Sequence, residues 1–322
     1  MDSILVTHRP NNWAWRFALL AAVSAVPLVL FGGSVTTLGA GMAVDGWLVA
    51  EGHFLLLFPV ESWFRDTATF VEHSHRLFGV LVGLFSVAAV VASFASRRTD
   101  ALARSLAVAA LLLVCGQGAL GGFRVLENAP QLAFLHGAAA QAVFAVLCAS
   151  ALVQTRAFKD GPDRTGEGER AGLGLRVLAL AATLAVYAQV VLGAWYRHAL
   201  RPTPSAEAGQ RFLWHALLAI GVTFLLFVLI SALKRTGGEA LTRCARRLTL
   251  LVGLQIGLGL LAWASYQPGA VGPFEWALSI LHVLCGGLLL AQTLATWMWT
   301  ERLRAVALQP SAAKRIVARE VR

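Results

Sequence analysis

Residues 72–98, EHSHRLFGVLVGLFSVAAVVASFASRR, decide the fold. Between Arg76 and Arg97 lies an uncharged run, 77–96, of about the length a helix needs to cross the hydrocarbon of a bilayer. Its apolar residues do not alternate with period two. A lone span in lipid has no partner for an open backbone, so the run reads as a helix. Seven similar runs stand at 19–35, 101–123, 133–152, 177–195, 212–233, 248–264 and 276–299. Composition agrees: of 322 residues, 57% are hydrophobic and only 14% charged, where a soluble domain is nearer a quarter charged. The expected class is an all-α integral membrane protein with eight transmembrane helices.

The net charge of +10 is distributed by topology. Arg9 and Arg16 precede the first run, Arg97, Arg98 and Arg104 follow the second, and further clusters lie at 156–176, 234–247 and 302–322. These alternate segments hold 21 of the 27 basic residues, leaving Arg65, Arg76, Arg124, Arg197, Arg201 and Arg211 for the other side. The positive-inside rule puts both termini in the cytoplasm and gives no reason to expect a nucleic-acid partner. The first run leads into a Gly-rich segment without a cleavage signature and reads as a retained span. A bacterial inner membrane is the expected location, with lipid as the surrounding partner. Cys115, Cys148, Cys244 and Cys285 lie in or beside helices. They read as buried small hydrophobes rather than disulfide partners.

The chain repeats. Gln117-Gly-Ala-Leu120-Gly121, Gln189-Val-Val-Leu192-Gly193 and Gln255-Ile-Gly-Leu258-Gly259 recur near the outer ends of alternate helices, with a looser Leu30-Phe-Gly32-Gly33 in the first. Small residues let helices approach, and a glutamine in hydrocarbon needs a partner, so a shared interhelical role is expected. The unit is a helix pair. Two pairs form an N-terminal four-helix bundle (1–155) and two a C-terminal one (177–300), with a Gly- and Pro-containing linker (156–176) between them and a tail (301–322). The bundles are expected to be pseudo-symmetric about an axis along the membrane normal.

Each even-numbered run is preceded or opened by one histidine at a similar depth: His75, His136, His215 and His282. Four at equivalent places point to a shared ligand role. Zinc favours a tighter cluster with Cys or carboxylate help, and proton relays alternate His with deeper acids, which these helices lack. Facing imidazoles on helices of one bundle suit haem, with His75 paired to His136 and His215 to His282. Arg76, Arg124 and Arg197 are candidates to meet its propionates. His8, His53 and His198 read as solvated or interfacial, and His73 as interfacial. Only the N-terminal pair has an acid nearby: Glu72 lies three residues before His75, on the same helix face. That asymmetry suggests one working site, with Glu72 as its catalytic carboxylate, and one auxiliary site.

Taken in order, the 33–41 stretch GSVTTLGAG, the Glu72-x-x-His75-Arg76 motif and one histidine on each even helix resemble the haem A synthase family over most of the chain. The resemblance implies an oxidoreductase that converts the C8 methyl of haem O to a formyl group, giving haem A for terminal oxidases. It implies haem O and haem A as substrate and product in the half with Glu72, His75 and His136, and a haem b passing electrons in the half with His215 and His282. Haem O synthase and terminal oxidase assembly factors are the implied partners, with an electron acceptor besides, and a homo-oligomer is compatible with this frame. Some branches of the family carry a cysteine pair in an outer loop, which is missing here, and Asp45-Gly-Trp47 stands where relatives often have prolines. The competing readings are a di-haem cytochrome that only transfers electrons and a small-molecule transporter.

Overall fold

The computed structural model describes residues 12–97, 99–160, 171–200, 206–267 and 271–307. Each apolar run lies within a long helix: α1 Trp13–Thr37, α3 Thr67–Ala95, α4 Ala101–Glu127, α5 Pro130–Leu152, α7 Leu173–Ala199, α8 Ala206–Thr236, α9 Glu239–Ser265 and α10 Pro273–Ala307. Two short helices, α2 Val60–Trp63 and α6 Arg156–Asp160, and a small hairpin of β1 Val49–Ala50 and β2 His53–Phe54 complete the described elements. All eight long helices have the length and hydropathy of membrane spans. The chain is an all-α, multi-pass membrane protein.

The helices extend beyond the apolar runs because their ends are set by polar caps. Asp66 accepts from Thr69 N (2.8 Å) to open α3, and Asp100 accepts from Ala103 N (2.8 Å) to open α4. At its far end α4 stops at Asn128, whose φ of +43° turns the chain into α5, which opens on a proline. The 38–66 connection, between α1 and α3, is a folded loop with its own small core of Val44, Ala50 and Phe58 against Trp63.

Packing within each half is cyclic. In the N-terminal half α1 meets α3, α3 meets α4, α4 meets α5 and α5 returns to α1, and α7, α8, α9 and α10 repeat the circuit. The halves join where α5 meets α10, and where α1 meets α10 and α5 meets α7. Exchanging the two sets of four helices maps each of these contacts onto another, as an approximate two-fold axis between α5 and α10 requires. Interiors differ in kind. α1 buries Ala14, Ala18, Ala21, Ala22 and Ala25, allowing close backbone approach, whereas the C-terminal half buries leucines, among them Leu226, Leu229, Leu233 and Leu248.

At the end of the bundle away from the histidines, Arg302 Nε donates to Phe158 O (3.0 Å) and its Nη2 to Lys159 O. Phe158 packs on Trp299, and Arg176 pairs with Glu301 (2.7 Å). The start of the linker is thus a helix docked on α10, and α10 itself runs past residue 300, where the sequence suggested a tail. His8 and the linker residues Gly161, Pro162, Gly166 and Gly168 lie outside the described residues. Cys115 is exposed on α4 rather than buried, and all four cysteines are free.

The Asp66 carboxyl is exposed, and hydrogen bonds from the Thr69 backbone and hydroxyl hold it below its ordinary range. A carboxylate whose folded-state pKa is depressed stabilises above its unfolded value and loses that contribution as pH falls through the folded one. Asp66→Ala should lower the unfolding midpoint at neutral pH, because the cap bond to Thr69 is lost. Thermal unfolding in detergent should show the gap to wild type closing below about pH 4.

Candidate functional site

The four histidines come together as two pairs. His75 on α3 faces His136 on α5, with ring centres 6.2 Å apart and planes at 82°. His215 on α8 faces His282 on α10 at 6.5 Å and 80°. Two imidazoles that each approach one metal at about 2 Å would set their ring centres roughly 6 Å apart, so both pairs have the span of axial ligands to a single ion. Among the described residues there is no group of three or more His, Cys, Asp or Glu suited to holding a metal without further help.

The repeated signature explains how the rings are held. Each histidine packs edge-on against a glycine of the helix before it. A Cβ placed on Gly32, Gly121, Gly193 or Gly259 would stand 2.8, 2.9, 2.9 or 2.9 Å from Cε1 of His75, His136, His215 or His282 respectively. No side chain fits there. One turn earlier on the same helix, the glutamine ties down the histidine's own backbone or ring. Gln117 Nε2 donates to His136 O (2.7 Å) and Gln189 Nε2 to His215 O (2.9 Å), while Gln255 Nε2 lies 3.3 Å from His282 Nε2. The first unit has no glutamine, and there Leu28 O sits 3.0 Å from His75 Nδ1. A ring nitrogen engaged with a carbonyl directs the other toward a ligand. Nδ1 of His136 and of His282 is buried without a protein partner.

Around the His75–His136 pair the protein is more elaborate. Glu72 is 2% exposed. Its Oε2 accepts from the amides of Ala43 (2.7 Å) and Val44 (3.0 Å), and its Oε1 accepts from Arg76 Nη2 (2.7 Å). Arg76 also donates to Val44 O and Gly46 O, both at 2.7 Å. This buried ion pair on α3 therefore clamps the 43–46 backbone, and Arg76 is engaged within the protein rather than left open to an outside anion. Trp47 of the same loop lies flat on Gly122 of α4, where a Cβ would collide with its ring. His73 is buried in the loop core, stacked on Phe58 (4.5 Å) and edge-on to Trp63 (5.3 Å), and not interfacial as its sequence position suggested.

The other candidate cations separate. The Arg124 side chain is half-buried, lies against Gly41 and has Glu72 as its electrostatic partner, with no side-chain hydrogen bond among the described residues. Arg197 crosses between the halves, donating to Gly33 O and Thr37 Oγ1 of α1, while Trp276 of α10 donates to Ser34 Oγ (2.9 Å). His198 follows into the N-terminal half, its Nε2 3.1 Å from where a Cβ of Gly137 would stand and its ring against Phe134. Sequence reading left His198 as interfacial. The available signal was its place directly after Arg197 at the end of a repeat helix, where the other units carry no histidine.

The glycine contacts are directly testable. Overpacking of this kind costs about 1–3 kcal/mol, roughly five- to 150-fold in affinity. Gly121→Ala should weaken binding of added haem by that factor in a spectral titration. Gly118→Ala, on the same helix with open space around it, should leave the titration unchanged.

Comparison with known proteins assigns the chain to a family. The COX15-CtaA family model, described as cytochrome oxidase assembly protein, matches residues 14–200. The haem A synthase of Symbiobacterium thermophilum is 30% identical over 274 residues, covering 77% of this chain and 85% of that protein. That of Alkalihalophilus pseudofirmus is 23% identical over 237 residues (68% and 76%). That of Paracoccus denitrificans is 31% identical over 157 residues (45% and 40%). The chain belongs to the haem A synthase family of cytochrome oxidase assembly proteins.

Proposed function

We propose that this chain is a haem A synthase, an oxidoreductase that converts the C8 methyl of haem O to the formyl group of haem A for terminal oxidases. The observation that carries the proposal is the pair of facing imidazole sets, at 6.2 and 6.5 Å, each ring seated against a glycine whose missing Cβ makes room for it. The donor set fits haem. Two neutral nitrogen ligands complete the coordination of an iron already held in a macrocycle, and no third protein ligand is needed.

The N-terminal half is the substrate half. It alone combines the histidine pair with the folded first loop, the Glu72–Arg76 clamp and the half-buried Arg124. His75 and His136 would hold the substrate haem between α3 and α5. The loop, tied down by Glu72 and Arg76, closes the end of the pocket and keeps water from the reacting edge. Arg124 supplies a cation for a substrate carboxylate, with Arg197 at the seam between the halves. In the C-terminal half, His215 and His282 hold a haem b, which when bound accepts and passes on single electrons.

Glu72 keeps its place as the candidate catalytic carboxylate, with its role refined by its partners. Its two oxygens accept from one guanidinium and two amides. That arrangement supports a stationary anion, which stabilises positive charge developing on the substrate carbon as electrons are withdrawn, and a loop-positioning residue. The reading also sets both termini in the cytoplasm of a bacterial cell, with the histidine end facing outward. It links the chain to haem O synthase and to terminal oxidase assembly.

Pigment extraction tests the function. Protein purified from cells that make haem O should yield haem A or haem O together with haem b. His75→Ala and His136→Ala should abolish haem A, while keeping the haem b spectrum that His215→Ala and His282→Ala remove. Haem b alone from the wild-type protein under haem O supply would instead identify an electron-transfer cytochrome. Glu72→Gln should retain most bound haem while haem A formation drops roughly a hundredfold. A normal rate in that variant would remove Glu72 from the chemistry.

A further inference from the structure

The first loop has an outward surface unlike that of a soluble connection. Between β2 and α3 its side chains divide into two sets. Leu55, Phe58 and Trp63 turn inward to the loop core, while Phe54, Leu56, Leu57, Val60 and Phe64 are exposed, Leu57 at 74%. Five large apolar side chains in eleven residues form a patch that a water-facing loop would not keep. The segment is amphipathic in an unusual sense: both faces are apolar, one covered by the loop itself and the other by nothing in the described chain.

The patch continues into the surface of the spans. Phe64 packs on Phe70 (5.4 Å), Phe70 on Phe31 of α1 (5.8 Å), and Phe31 stacks on Phe78 (5.6 Å). Phe70 and Phe78 are eight residues apart on α3, so this aromatic ladder descends about 12 Å along the span. Aromatic side chains gather where hydrocarbon meets headgroups. The charged groups of the loop lie apart from the ladder: Arg65 pairs with Glu51 (3.1 Å) and with Asp66 (3.3 Å). The one carboxylate within the apolar stretch, Glu61, is exposed beside Val60 on the single turn of α2.

We propose that the edge formed by Phe54, Leu56, Leu57, Val60 and Phe64 is seated in the boundary between headgroups and acyl chains. The first loop is then an interfacial membrane element as well as a cover for the His75–His136 site. The occupant of the patch is lipid, because Phe64 joins the patch through Phe70 to the half-buried Phe31 and Phe78 on the membrane spans α1 and α3, and both ends of the loop are fixed at the ends of those spans. Burial of such an edge is favourable in proportion to its apolar area.

Spin labels placed on the full-length protein in single-copy lipid nanodiscs test this directly. Cys115→Ala removes the one exposed native thiol. Labels are then introduced by Leu57→Cys, by Val60→Cys and, as the water-facing control, by Asp45→Cys, with circular dichroism and size-exclusion profiles confirming each fold. The expected result is that labels at residues 57 and 60 collide several-fold more with oxygen than with a water-soluble nickel chelate, while the label at residue 45 shows the reverse. Chelate access at 57 and 60 equal to that at 45 would overturn the proposal. Protection from both reagents would overturn it too, by showing protein rather than lipid over the patch. Haem content plays no part in the readout, so the result stands apart from the fate of the proposed activity.

Discussion

An imidazole within a membrane span is held in one orientation only if something occupies every other position it might take. In this protein one edge of each ring is set, four times, by the same device, a glycine on the preceding helix against Cε1. The close approach allows one helix backbone to act as a wall for the next helix's histidine. The glutamine one turn away secures the histidine's backbone or ring in three of the four cases. Helix packing and ring placement are therefore the same interaction. The small residues that let the helices meet are the ones against which the imidazoles rest.

The two halves apply this device equally and then diverge. In the N-terminal half a buried carboxylate–guanidinium pair reaches out of α3 to hold the 43–46 backbone, and removing one partner of such a pair leaves the other charge uncompensated. The first loop is thereby joined to the helix that carries His75, so loop position and ligand position are mechanically linked. Arg197 and His198, at the end of the C-terminal half's first helix, enter the same neighbourhood from the other side of the seam. The symmetric frame supplies two similar pockets, and the asymmetric additions make them different.

Much of this was legible in the sequence, for physical reasons. Hydrocarbon imposes length and apolarity on every span, so eight helices stand out without any knowledge of packing. The Gln-x-x-Leu-Gly signature and the four histidines repeat at matching depths, so their association could be inferred before the partners were known. What stayed hidden was tertiary. Arg76 reads as a cation available to a carboxylate, and only the folded path of 43–46 shows it donating to Val44 and Gly46. His73 reads as a surface neighbour of His75 until Phe58 and Trp63 fold over it. Cys115 reads as buried because a long apolar run does not reveal which of its faces meets protein and which meets lipid.

The fastening of the two halves at opposite ends has a mechanical consequence. Near the histidines, Arg197 and Trp276 tie α7 and α10 to the end of α1. At the far end, Arg302 and Trp299 hold the segment that follows α5. A carrier that exposes its cargo alternately to either side needs one rim free to open while the other closes. Here both rims are tied, by Arg197 and Trp276 near the histidines and by Arg302 and Trp299 at the far end, so among the described residues neither end of the seam between the bundles is left unfastened.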